Sequence, residues 1–141
     1  MDTRRVGLVA LMGALVAAAC TGGGGGGGGG ATVKATLSEY AIKVEPATTG
    51  AGSVTFDITN AGAQVHEFLV LKTDLAEDRL PVSGDKVEED APGITLVGEK
   101  EGIGPGDHPT LTVTLQPGHY VLICNITGHY SQGMHASFTV P

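Results

Sequence analysis

The stretch "CNITGHYSQGM" sets a thiol, an imidazole and a thioether on one short piece of chain, at Cys124, His129 and Met134. Four residues lie between the first two and four between the second two, and a turn-rich loop can bring such donors onto one centre. Two chemistries compete for the set: attack by a thiolate beside a base, and metal ligation through sulfur and nitrogen. A nucleophilic Cys needs a base, an oxyanion hole and an orienting third group. Thiolate nucleophiles favour helix N-termini, whereas Cys124 continues the alternation of Tyr120 and Leu122 and so ends a strand. Structural zinc would accept Cys and His, but a thioether suits it poorly. A binuclear copper centre needs a second nearby Cys and a multicopper oxidase needs His-x-His pairs, and the sequence has neither.

The fourth donor has to come from elsewhere, and His66 is the candidate. It shares a strand face with Phe68 and Val70, so it points inward near the start of that strand. A buried imidazole among apolar side chains needs a partner. Two imidazoles, one thiolate and a weak axial thioether form the donor set of a blue-copper electron-transfer site. Sulfur favours Cu(I) and imidazole holds Cu(II), so a rigid mixture serves both states. His135 and Glu67 compete with Met134 for the axial position, and spacing favours Met134. His108, in a Gly/Pro loop, and His119, on the opposite strand phase from Cys124, read as surface residues.

Strands position these residues. Alternation of period two recurs at Val33–Ala35–Leu37, Tyr40–Ile42–Val44, Val54–Phe56–Ile58, His66–Phe68–Val70, Leu111–Val113–Leu115, Tyr120–Leu122–Cys124 and Phe138–Val140. Turn residues separate the runs, at Pro46 to Gly52, Asn60 to Gly62, Gly102 to Pro109 and Pro117 with Gly118. The reading is all-β: a Greek-key antiparallel β-sandwich of about seven or eight strands. A phase slip between Leu37 and Tyr40 predicts a bulge or bend in the first strand. "LQPGHY" looks like a tyrosine corner closing on Tyr120, and only "TDLAEDRL", from Thr73, looks helical.

Over residues 32–141 the chain resembles the cupredoxins, small bacterial blue-copper proteins of the plastocyanin, azurin and rusticyanin kind. The carriers are C-x4-H-x4-M at Cys124, His129 and Met134, the strand "YVLIC" before it, and "NAGAQVHEF", which supplies His66. The resemblance implies one type 1 copper ion held by His66, Cys124, His129 and Met134, single-electron exchange with redox protein partners, a monomer, and no enzymatic activity. A non-enzymatic copper carrier or storage lipoprotein is the alternative function. Many relatives have Asn directly after the first ligand His, tying the two ligand loops together. This chain has Glu67 there, and Asn125 is the candidate for a comparable bond. The acidic segment at 73–92 has no counterpart assigned by the resemblance.

The N-terminus predicts export. Residues 1–20 run from Arg4 and Arg5 through an apolar stretch, Val6 to Ala19, and small residues close on Cys20. As a helix that stretch spans ~21 Å, short of the ~30 Å of a bilayer core. Small residues before a Cys resemble a bacterial lipobox, which makes Cys20 the candidate lipidation site and predicts an extracytoplasmic protein anchored to a bacterial membrane. Nine glycines, Gly22 to Gly30, fall in the 21–31 linker and read as a flexible tether. Lipidation of Cys20 would leave Cys124 as the one thiol of the mature domain and exclude an internal disulfide. The formal charge of -7 argues against nucleic-acid partners. Its acids concentrate between Asp74 and Asp90, which reads as a solvated loop.

Overall fold

The computed structural model describes residues 29–141; the expected signal segment, the candidate lipidation site Cys20 and most of the glycine run lie outside that range. Its strands are β1 (Ala31–Ser38), β2 (Ala41–Glu45), β3 (Gly52–Asn60), β4 (His66–Lys72), β5 (Val82–Ser83), β6 (Lys86–Val87), β7 (Thr95–Ile103), β8 (Thr110–Leu115), β9 (Gly118–Ile123) and β10 (His135–Val140). One sheet runs β2-β1-β3-β8 and the other β10-β9-β4-β7, while β5 and β6 form a small separate hairpin. Every pairing between these strands is antiparallel except that of β1 with β3, so the expected antiparallel sandwich contains one parallel pair. Among the described residues no helix is long and apolar enough to cross a membrane.

The two sheets bury their alternating faces against each other. Val33, Ala35, Leu37, Val54, Phe56 and Ile58 meet Phe68, Val70, Tyr120, Leu122, Phe138 and Val140 in one core. Phe56 stands between Phe68 and Phe138, with ring centroids 5.2 and 5.5 Å away. Burying each such ring contributes about 1.5–3 kcal/mol, and pairs in these orientations add ~0.5–1.5 kcal/mol. The tyrosine corner is present: Tyr120 Oη donates to the Gln116 carbonyl at 2.6 Å and accepts from the Gln116 amide at 3.0 Å.

Three expectations need correction. The phase slip after Leu37 is a hairpin between two strands: Ser38 pairs with Ala41 and Leu37 with Ile42, with Glu39 and Tyr40 as the turn. The stretch from Thr73 to Leu80 is not helical. Thr73 Oγ1 accepts from the Leu75 amide at 3.2 Å, a local bond that competes with a helical start, and eight residues without an apolar stripe cannot sustain one.

The acidic segment is also more than a solvated loop. Asp74, Asp78, Glu88 and Asp90 are exposed, but Leu80, Val87 and Ile94 are buried. They cover the outer face of β4 and β9 by packing on Leu69, Leu71, Val121, Ile123 and Tyr130. Two strands of the site are therefore buried on both faces, which holds their ends rigidly.

Candidate metal centre

Three elements deliver the donors to one end of the sandwich. His66 is the first residue of β4, Cys124 follows the last residue of β9, and His129 lies in the loop that joins β9 to β10. Local hydrogen bonds fold that loop. The His129 amide donates to the Ile126 carbonyl at 2.9 Å, the Met134 amide to the His129 carbonyl at 3.2 Å, and the Cys124 amide to the Met134 carbonyl at 3.1 Å. Gly133 closes the intervening 3-10 turn at φ 107°, a left-handed conformation that favours glycine.

The loop brings the expected side chains together. Nδ1 of His66 and Nδ1 of His129 are 3.3 Å apart, and Cys124 Sγ lies 3.4 Å from the latter and 3.9 Å from the former. A triangle with these edges has its centre about 2.1 Å from each corner, close to metal–imidazole bonds of ~2.0–2.1 Å and slightly short of metal–thiolate bonds of ~2.3 Å. The donors therefore fit a single small cation. His66 and Cys124 are fully buried and His129 is 7% exposed. Met134 is fully buried in the same core cluster as Cys124.

Burial pushes the Cys124 thiol up, against the pull of amides at Glu67 and Ile126, and the Glu67 N–H reaches Sγ at 3.3 Å. Such a thiol stays protonated near neutral pH and is a poor nucleophile, whereas a bound cation would ionise it outright. Desolvation, followed by its neighbour His66, pushes His129 down, which keeps that imidazole neutral and able to ligate.

The other histidines stay outside this cluster. His108 is exposed and bonds Thr59 Oγ1 at 3.0 Å. His119 Nδ1 donates to the Thr73 carbonyl at 2.8 Å. His135 turns its ring against Tyr130, with Nδ1 3.5 Å from Glu77 Oε1.

Asn125 does not bond the His66 loop. Its Oδ1 accepts from the Val87 amide at 2.7 Å, and its Nδ2 donates to the Val87 carbonyl at 3.1 Å and to Glu89 Oε1 at 2.6 Å. It therefore fastens the acidic segment to the residue after Cys124. Asn60 braces the His66 loop instead: Nδ2 donates to the Gln64 and Ile103 carbonyls at 2.7 and 2.8 Å, and Oδ1 accepts from the Gly62 amide at 2.9 Å.

The β1–β2 turn supplies two contacts that sequence reasoning missed. Glu39 Oε1 lies 3.0 Å from His66 Nε2, and the Tyr40 ring meets the His129 ring edge-on at 5.0 Å between centroids. Hydrogen bonds from the Gln64 and Ala63 amides hold the Glu39 carboxyl down to about 2. No spacing rule links position 39 to position 66. Only the unexplained phase slip marked this turn in the sequence.

No family model matches the chain, and no curated protein sequence matches it. Solved structures do. An auracyanin from the photosynthetic bacterium Roseiflexus castenholzii is 25% identical with a TM-score of 0.59, over 80% of this chain and 99% of that one. Auracyanin A, a "blue" copper protein from Chloroflexus aurantiacus, is 21% identical with a TM-score of 0.58, over 80% of this chain and all of its own. Rusticyanin from Thiobacillus ferrooxidans is 22% identical with a TM-score of 0.51, over 80% and 79%. With its sandwich and these neighbours, the chain has the cupredoxin fold, and its converging His66, Cys124 and His129 fit one type 1 copper ion.

Proposed function

We propose that this protein carries single electrons between redox partners through one copper ion held by His66, Cys124 and His129, with Met134 as the axial donor. The observation that carries the reading is the buried triangle of one sulfur and two imidazole nitrogens, with two of its corners at the ends of β4 and β9, strands packed on both faces, and the third in the loop between β9 and β10. When bound, the ion supplies a reversible Cu(II)/Cu(I) couple. The chain holds the donors still, so little reorganises as the charge changes. It also keeps water from His66, Cys124 and Met134, each fully buried, and leaves His129 as the donor with an edge toward solvent. Electrons exchanged with a docked partner have their shortest route through that edge.

The N-terminal segment supports an extracytoplasmic site of action. An apolar stretch ending at Cys20, followed by nine glycines, suits a lipid-anchored domain on a flexible tether. The alternative role, copper delivery or storage, uses the same ligands, but full burial of three of them disfavours handing the ion over. Protein-film voltammetry of the copper-loaded domain separates the two roles. A reversible one-electron wave with the ion retained over many cycles supports the electron carrier. Loss of the ion to a competing Cu(I) acceptor, without a stable wave, would point to delivery.

A further inference from the structure

Glu39 sits in a socket built for a carboxylate. Its Oε1 accepts from the Gln64 amide at 2.8 Å and the Ala63 amide at 3.0 Å, Oε2 is 3.2 Å from the Ala63 amide, and Oε1 also faces His66 Nε2 at 3.0 Å. Gly62 leaves the room, since a Cβ there would collide with both carboxylate oxygens. The side chain is only 24% exposed and its His66 partner is fully buried. A carboxylate accepts only, so His66 has to carry its proton on Nε2 to make this bond. That tautomer leaves the Nδ1 lone pair facing Cys124 and His129, as a ligand requires.

His129 is held differently. Among the described residues its Nε2 makes no hydrogen bond, and the ring is steadied by the edge of Tyr40 and by its own loop. The site thus has one imidazole backed by an anion and one without.

We propose that Glu39 is a positioning residue of the metal centre: it locks His66 in the Nε2–H tautomer, and its negative charge favours the oxidised ion and lowers the reduction potential. The inference rests on reading the site as a copper centre. A carboxylate behind a ligating imidazole makes the ring more basic and a better donor to the higher charge. Glu39 also ties the His66 loop to the β1–β2 turn, and Tyr40 in that turn touches His129, so two adjacent residues steady both imidazoles.

The test is Glu39→Gln, which keeps an acceptor oxygen for the two amides and for Nε2–H but removes the charge. A charge-assisted bond is roughly twice as strong as a neutral one. The variant should bind one copper ion and keep its colour while its potential rises by the equivalent of about tenfold in the Cu(I)/Cu(II) ratio, about 59 mV for a one-electron couple. A purely structural Glu39 would leave the potential unmoved. A second readout needs no metal: nitrogen chemical shifts of His66 in the copper-free wild-type protein should report a proton on Nε2. An unchanged potential in Glu39→Gln, or a proton on His66 Nδ1 in the wild type, overturns the inference. A wild-type chain that binds no copper overturns the underlying reading instead, and the tautomer still decides the positioning role.

Discussion

Replacing Tyr130 by Phe removes a single oxygen from beneath the acidic segment. That oxygen accepts from the Leu80 amide at 3.0 Å and donates to the Glu77 carbonyl at 2.8 Å. Leu80 is 5% exposed, so its N–H has no ready access to water once the hydroxyl is gone. Glu77 is half-buried, and its carbonyl can recover part of its loss from solvent. Stranding a buried donor costs about 1–3 kcal/mol, which puts the expected destabilisation at ~2 kcal/mol. At roughly 4 °C per kcal/mol for a domain of this size, Tm of the copper-free protein should fall by ~8 °C. Thermal unfolding followed by circular dichroism measures this, and amide exchange at Leu80 localises it. The phenyl ring keeps its packing on Leu69, Leu71 and Ile123, so copper colour should survive. A fall in Tm of less than ~2 °C, or a Leu80 amide that exchanges freely in the wild type, would refute the view that this segment is a packed cover over β4 and β9.

Met134→Leu should retain metal and colour while raising the potential, because losing a weak donor disfavours Cu(II) more than Cu(I), and His135→Ala should change the potential little; voltammetry of both variants checks the axial assignment. Copper should stabilise the fold by mass action, since ion at ~100 times its dissociation constant adds ~2.7 kcal/mol, which calorimetry of the metal-free and loaded protein should register as a Tm rise of ~10 °C. Cys20→Ala should release or misprocess the protein without changing its copper spectrum, as membrane fractionation and mass spectrometry of the mature chain would show.

The site was legible where its residues obeyed a local rule. His66 fell in phase with Phe68 and Val70, Cys124 ended the run from Tyr120, and His129 followed at loop spacing, so the donors could be named from order alone. Glu39 was not legible, because its bond to His66 spans 27 residues and depends on how a hairpin turn meets another loop. β7 escaped notice because Glu99, Lys100 and Glu101 interrupt its pattern. Such charges suit an exposed edge strand and keep it from pairing with other chains. The runs "FLVL" and "VLI" did carry a signal, since unbroken apolar sequence marks strands buried on both faces. What covers the second face was hidden in the irregular spacing of Leu80, Val87 and Ile94 among acids. Asn125 was expected to tie the two ligand loops together, but it bonds β6 instead, in a segment with no assigned fold.

The central claim is that Cys124 binds copper as a thiolate beside two imidazoles. Titrating the metal-free domain with Cu(II) while recording the visible spectrum tests it most directly. An intense sulfur-to-copper charge-transfer band should appear, saturate at one equivalent and be abolished by Cys124→Ser. A Cu(II) complex with only weak, ordinary absorption, or an intense band that persists in Cys124→Ser, would contradict it.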